Sequence, residues 1–453
     1  GYSLSPNKMR NATLLLASLV FYYWGAGAHI LVLFWVAGVT FVAGKSVRSR
    51  SRVGHWLIIL ATLAPLIWFK YAAFATDVAT APARALGWDV SGFDERLLPV
   101  GISFFTFQAL SYVLDIRRGA AEPLGGIGSY LLYISMFPQL IAGPIVRFSE
   151  IRDQLYNRRF SVENLSAGSA RFAIGLSKKV VIADSVAPMA NEVFAGGFET
   201  SSFAAWIGVL AYTVQIYFDF SGYSDMAIGL GGIFGFHFPE NFARPYSSSS
   251  ITEFWRRWHI TLSNWFRDYL YIPLGGNRGG ARIEYRNLCI VFFLTALWHG
   301  AAYTFLIWGG IHGAWLIIER ITGLKNVTGY TVARRILTLI VAITAWVFFR
   351  SPDVSTAISI VGKMFAFDGG GLDPKLIAAA TPLGIFALSV GIASFALPSS
   401  WITGLRITNG LSSHETTSNK AAFIQLLVTI VTLPVCFVFI ASNDLSPFLY
   451  FQF

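Results

Sequence analysis

The chain has 453 residues, of which 55% are hydrophobic, 16% aromatic and only 13% charged. A soluble domain carries about 25% charged residues, so a set of soluble domains is excluded and one membrane domain over 1–453 is expected. The net charge of +10 comes with no RNA- or DNA-binding motif, and it is read as basic cytoplasmic loops, not as an affinity for nucleic acid.

A bilayer crossing needs about 20 mostly apolar residues. Runs of this kind lie near 11–24, 27–43, 56–74 and 98–114. The run at 127–143 is shorter and is broken by Pro138 and Pro144. It is read as re-entrant, because broken backbone at membrane depth must be covered by protein or water. Further runs follow at 204–236, 287–319, 336–349, 377–397 and 421–442, and His299-Gly300 divides the 287–319 stretch into two. The pattern predicts an all-α polytopic membrane protein with roughly ten to twelve transmembrane helices plus re-entrant and interfacial helices.

Lys and Arg bias short loops toward the cytoplasm. Basic residues cluster at Lys45, Arg48, Arg50 and Arg52, at Arg147, Arg152, Arg158 and Arg159, and at Arg320, Lys325, Arg334 and Arg335. These loops are assigned inside, and the Lys/Arg-poor loops 191–203 and 351–361 outside.

Within the 204–236 run, Asp219 and Asp225 bracket the segment Asp219-Phe-Ser-Gly-Tyr-Ser-Asp225. Membrane carboxylates are costly and pair or line a water-filled space. Either a structural pairing with arginine or a role beside a histidine fits. Gly231 and Gly235 are spaced for close helix packing. The polar interruption 237–286 holds seven arginines and four acids. Ser250 and Glu253 form a helix-start box. The apolar residues Ile251, Phe254, Trp255, Trp258, Leu262, Trp265, Phe266 and Tyr269 then recur at helical spacing, with Arg256, Arg257 and Arg267 off the stripe. One continuous amphipathic helix lying at the cytoplasmic interface is expected.

Of seven histidines, His29, His55 and His414 lie near predicted helix ends or in loops, and His237 and His312 are read as packing residues. His299 lies inside an apolar stretch, in Leu297-Trp-His-Gly300. A membrane-embedded ionisable residue is a functional candidate, and a buried neutral imidazole can accept a proton. A core histidine bonded to a carbonyl fits the same position. His259 borders the apolar stripe. The histidines lack metal-ligand spacing, so no metal is expected. Cys289 and Cys436 give no disulfide framework.

Six segments resemble motifs of the membrane-bound O-acyltransferases, in the branch that acetylates secreted polysaccharides. They are Phe137-Pro-Gln-Leu-Ile-Ala-Gly-Pro144, Asp219-Phe-Ser-Gly-Tyr-Ser-Asp225, Phe254-Trp-Arg-Arg-Trp-His259, Trp265 to Arg278, Leu297-Trp-His-Gly300 and the ending Phe448-Leu-Tyr-Phe-Gln-Phe453. The resemblance implies His299 as the catalytic residue and His259 as a second characteristic position. It implies a donor such as acetyl-CoA or another acyl thioester, with no permanently bound cofactor. It also implies a polysaccharide acceptor such as alginate, a periplasmic acetyltransferase partner and a place in the bacterial inner membrane. D-alanyl transfer and peptidoglycan O-acyl transfer are alternatives within the family. Members usually carry another hydrophobic segment before the Arg10-Asn11 equivalent, so the front of the chain is expected to be trimmed. A polymer or lipid transporter is the competing class; many transporters show two matching hydropathy halves, which this sequence does not.

Overall fold

The computed structural model describes residues 6–47, 51–88, 97–158, 160–195, 201–324, 331–368, 371, 373–396, 419–442 and 448–449. Arg48, Arg50, Arg159, Lys325, His414 and residues 450–453 of the last motif lie outside them. The described residues contain helices and no strand, and the chain is an all-α polytopic membrane protein. By length and composition, five described helical runs can cross a bilayer: Met9–Gly44, Arg52–Ala85, Ser202–Ile233, Thr331–Arg350 and Ala422–Ser442. Other expected crossings are shorter, such as Ile102–Arg118, or open on charges, such as Ala281–His299 with Arg282, Glu284 and Arg286 in its first turns.

Two compact units are present, residues 1–161 with 234–238, and residues 162–233 with 239–453. In the first, helices α1 (Asn7–Ala26) and α2 (Ile30–Gly44) are separated at Gly27, which takes a left-handed φ of 55°. Helix α3 (Arg52–Ala85) follows, and α4 (Ile102–Arg118) is buried along almost its whole length. The expected break in 127–143 is present. Helix α5 (Ile127–Ser135) stops at Met136, and a short turn of helix, Phe137–Leu140, follows. Protein groups satisfy the broken backbone: the Gln139 side-chain amide donates to the Tyr133 carbonyl at 2.8 Å, and the Tyr133 hydroxyl to the Val146 carbonyl at 3.1 Å.

The second unit is built on α6 (Val162–Ser177), which runs through a π-helical segment, Lys178–Ala183, into α7 (Asp184–Phe194). Its partner is α8 (Ser202–Ile233). The two helices meet at Gly168 with Gly229 and at Gly175 with Gly222. A Cβ at any of the four would lie 2.5–2.7 Å from the opposite glycine's carbonyl oxygen. Small residues at the interface let the backbones touch. The expected Gly231–Gly235 pair is not the contact: α8 ends at Ile233, and Gly235 takes a left-handed φ of 82° beyond it.

The expected amphipathic helix is broken in two, α9 (Ile251–Arg257) and α10 (Ile260–Phe266), followed by a π-helical turn at Arg267–Tyr271. The break falls at Trp258-His259, where His259 adopts φ 43°, ψ 54°. Its apolar stripe does not face lipid: Ile251, Phe254, Trp255, Trp258, Leu262, Trp265 and Phe266 are all buried in protein. Helices α11 (Ala281–His299), α12 (Tyr303–Ile321) and α13 (Thr331–Arg350) complete the surroundings of the site.

Candidate active site

His299 is the last residue of α11 and is 3% exposed. Gly300 turns the chain away in extended conformation; a side chain there would run into the Phe305 ring. Gly309 and Gly313 on α12 bring that helix onto Phe292 and Ala296 of α11, the close packing read from the sequence around His312. Three rings consequently meet His299 edge to face: Trp298 at 4.8 Å, Trp308 at 4.9 Å and Phe349 at 5.1 Å between centroids.

His259 is fully buried. Its ring meets Phe220 of α8 at 4.8 Å and Trp298 at 5.7 Å. Trp298 therefore touches both histidines that the sequence singles out, and the two catalytic candidates fall in one aromatic cluster. A left-handed backbone at a non-glycine residue is uncommon and persists only when its surroundings hold it. Asn241 supplies part of that hold. Its carbonyl accepts from Ile260 N–H at 2.9 Å, and its side-chain oxygen accepts from the Thr261 hydroxyl at 3.0 Å. Burial pushes the His259 pKa down to about 3, so its ring is neutral at physiological pH.

Helix α9 is locked onto α12 by Glu319, whose carboxylate is 2% exposed. It accepts from the backbone N–H groups of Ile251 and Thr252 at 2.5 and 2.9 Å, and from the Thr252 hydroxyl at 2.6 Å. A carboxylate at a helix N-terminus satisfies orphan donors and meets the positive end of the dipole. Neither Glu319 nor Asn241 was singled out in the sequence. Glu319 carried a usable signal, an acid at the end of an apolar run; Asn241 carried none.

His312 lies on the far side of Trp308, at 5.3 Å, and stacks on Phe254 at 5.9 Å. Its place among rings fits the packing role expected of it. Asp219 and Asp225 are paired with bases. Asp225 binds Arg171 at 2.9 Å and Lys178 at 2.6 Å, and Arg171 continues to Glu240 at 2.5 Å. Asp219 binds Lys179 at 2.6 Å and accepts from the Leu449 N–H at 3.0 Å, and Lys179 also binds Asp184 at 2.9 Å. The residue between the aspartates that reaches the histidine cluster is Phe220. On the outer side of the 244–286 region, Arg256, Arg267, Arg278, Arg282 and Arg286 are exposed.

Two buried histidines are thus held by aromatic rings between helices of a polytopic membrane protein. Residues 100–360 match the membrane-bound O-acyltransferase family. The chain belongs to that family and is an acyltransferase. The "Probable alginate O-acetylase AlgI" of Pseudomonas putida is 40% identical, with all of this chain and 96% of that protein covered. The "Peptidoglycan O-acetyltransferase" of Helicobacter pylori is 35% identical, covering 97% of this chain and 91% of that protein. The "Teichoic acid D-alanyltransferase" of Bacillus subtilis is 26% identical, covering 66% of this chain and 77% of that protein.

Proposed function

We propose that the protein transfers an acetyl group from a cytoplasmic thioester, such as acetyl-CoA, to a hydroxyl of a secreted polysaccharide outside the bacterial inner membrane. The observation that carries this reading is the placement of His299 and His259 on two sides of Trp298, in the stretch matching the acyltransferase family. His299 serves as general base: a ring nitrogen takes the hydroxyl proton as the oxygen attacks the thioester carbonyl. His259, held neutral and fixed by the turn, orients the reacting groups. The exposed arginines of the 244–286 region attract the phosphates of coenzyme A or of a phosphopantetheine carrier.

Alginate is the acceptor that the Pseudomonas relatives' name supports. Peptidoglycan is the second reading, supported by a relative 35% identical over nearly the full length of both chains. A periplasmic acetyltransferase completes delivery in this scheme. The test is release of free thiol from acetyl-CoA by the purified protein. Release that depends on His299 supports the enzyme, whereas flux of polymer or lipid without thiol release would replace it with a transporter.

A further inference from the structure

Acyl transfer needs a donor for the oxyanion that forms when a hydroxyl attacks a thioester, and the pairings around His299 narrow the choice. Of the rings described above against His299, Phe349 has no N–H to donate. Trp298 is shared with His259. Trp308 is fully buried, and its indole N–H meets no acceptor among the described residues. A buried donor left without a partner costs about 1–3 kcal/mol and calls for an explanation; the indole N–H groups of Trp255 and Trp346 share the feature, and of these three rings Trp308 is the one described against His299. Packing alone does not supply one, because a bicyclic ring of the same shape without the N–H would fill the space without the penalty.

The ring is also immobilised. Phe349 lies at 5.2 Å, Trp255 at 5.7 Å and His312 at 5.3 Å, while Trp346 stacks on it at 6.1 Å. The next residue, Gly309, allows α12 to touch the backbone of α11; a Cβ there would lie 2.8 Å from the Phe292 carbonyl oxygen. A donor fixed in advance in a dry site is what electrostatic stabilisation of a transition state requires.

We propose that Trp308 is a catalytic residue, its indole N–H donating to the thioester carbonyl oxygen as that oxygen becomes negative; the inference rests on the acyl-transfer role assigned to His299. The acceptor hydroxyl gives its proton to a ring nitrogen of His299, and its oxygen bonds to the carbonyl carbon. The carbonyl π pair moves onto oxygen, to which the Trp308 N–H donates a hydrogen bond. Collapse restores the C=O bond, breaks the C–S bond, and the departing thiolate takes the proton back from the imidazolium.

The experiment uses the full chain in membranes, with acetyl-CoA as probe and water as acceptor, following thiol release for the wild type, His299→Gln, Trp308→Phe and a variant carrying 3-benzothienylalanine at 308. The last exchanges N–H for sulfur at nearly constant shape. Trp308→Phe and the benzothienyl variant are expected to lower kcat by about 10²–10³-fold, the usual effect of deleting one oxyanion donor, with KM near the wild-type value. If Trp308→Phe yields no protein, the benzothienyl variant decides alone. A benzothienyl variant at wild-type rate overturns the assignment of Trp308, whatever Trp308→Phe does. Wild-type rates in His299→Gln, or no thiol release by the wild type, overturn the underlying acyl-transfer reading and the Trp308 role with it.

Discussion

The second unit buries polar groups in two places on opposite terms. Against α6 and α7, α8 presents Asp219 and Asp225, and every one of these charges meets an opposite one: Arg171, Lys178 and Lys179, with Asp184 and Glu240 at the margins. Around α11 and α12, His259, His299, His312 and the tryptophans have rings as neighbours, while the buried Glu319 carboxylate is held by backbone N–H groups and a hydroxyl. Charges taken out of water must be paired, and breaking one pair exposes the full desolvation cost. Imidazole and indole can be buried neutral, so a ring cage holds them without cancelling their capacity to give or take a proton. The first region fixes the helices; in the proposed mechanism the second keeps reactive groups available.

The largest effect is expected at His299. His299→Gln keeps much of the volume but relays no proton at neutral pH. Transfer is expected to fall by roughly 10²–10⁴-fold with protein level in the membrane unchanged. His259→Ala should also be severe, because the left-handed turn and the ring contact to Trp298 are lost together. His312→Phe should be mild in the same assay, since the substitution keeps the stack on Phe254.

The charged region should respond in the opposite manner. Asp225→Asn leaves Arg171 and Lys178 in a buried site without their shared counter-charge, at a cost of about 3–5 kcal/mol. The expected outcome is a large drop in folded protein, read as membrane yield or thermal aggregation, with normal activity per molecule in what remains. A variant with full yield and no activity would instead place Asp225 in the chemistry. Gly222→Ala, which forces a Cβ onto the Gly175 carbonyl, should cost about 1–3 kcal/mol by the same readout.

The sequence was most informative where one residue type decides the local structure. The division at His299-Gly300, the interruption near Pro138 and the helix start at Ser250 all appear in the structure, the last with Glu253 N–H donating to the Ser250 hydroxyl at 3.0 Å. Periodicity failed at 251–269, because a stripe at helical spacing is equally compatible with two short helices whose apolar faces join around a bend. The bend is held by Asn241, 20 residues before Thr261, and nothing local to His259 announces it. The long helix pair α6–α7 escaped the apolar-run reading altogether. Its Arg171, Lys178, Lys179 and Asp184 lower the hydropathy, and their partners on α8 become visible only in three dimensions. The two histidines were legible as types in motifs; the aromatic cluster that unites them was not.

The smallest predicted effect tests whether the two regions are coupled through α8. Phe220 follows Asp219 in sequence but points its ring at His259, so the helix carries a paired charge on one side and a cage wall on the other. Phe220→Leu removes edge-to-face contacts to His259 and Phe242, each of about 0.5–1.5 kcal/mol, and leaves the Asp219–Lys179 pair intact. If the charged region alone sets the position of α8, yield and stability should stay near wild type, while kcat falls by roughly a few-fold to tenfold as His259 loses one wall of its cage. A matching loss of stability and activity would mean that the ring cage also holds α8 in place, and the separation of roles between the two regions would fail. Steady-state kinetics and a thermal-aggregation midpoint measured on the same membranes distinguish the two outcomes.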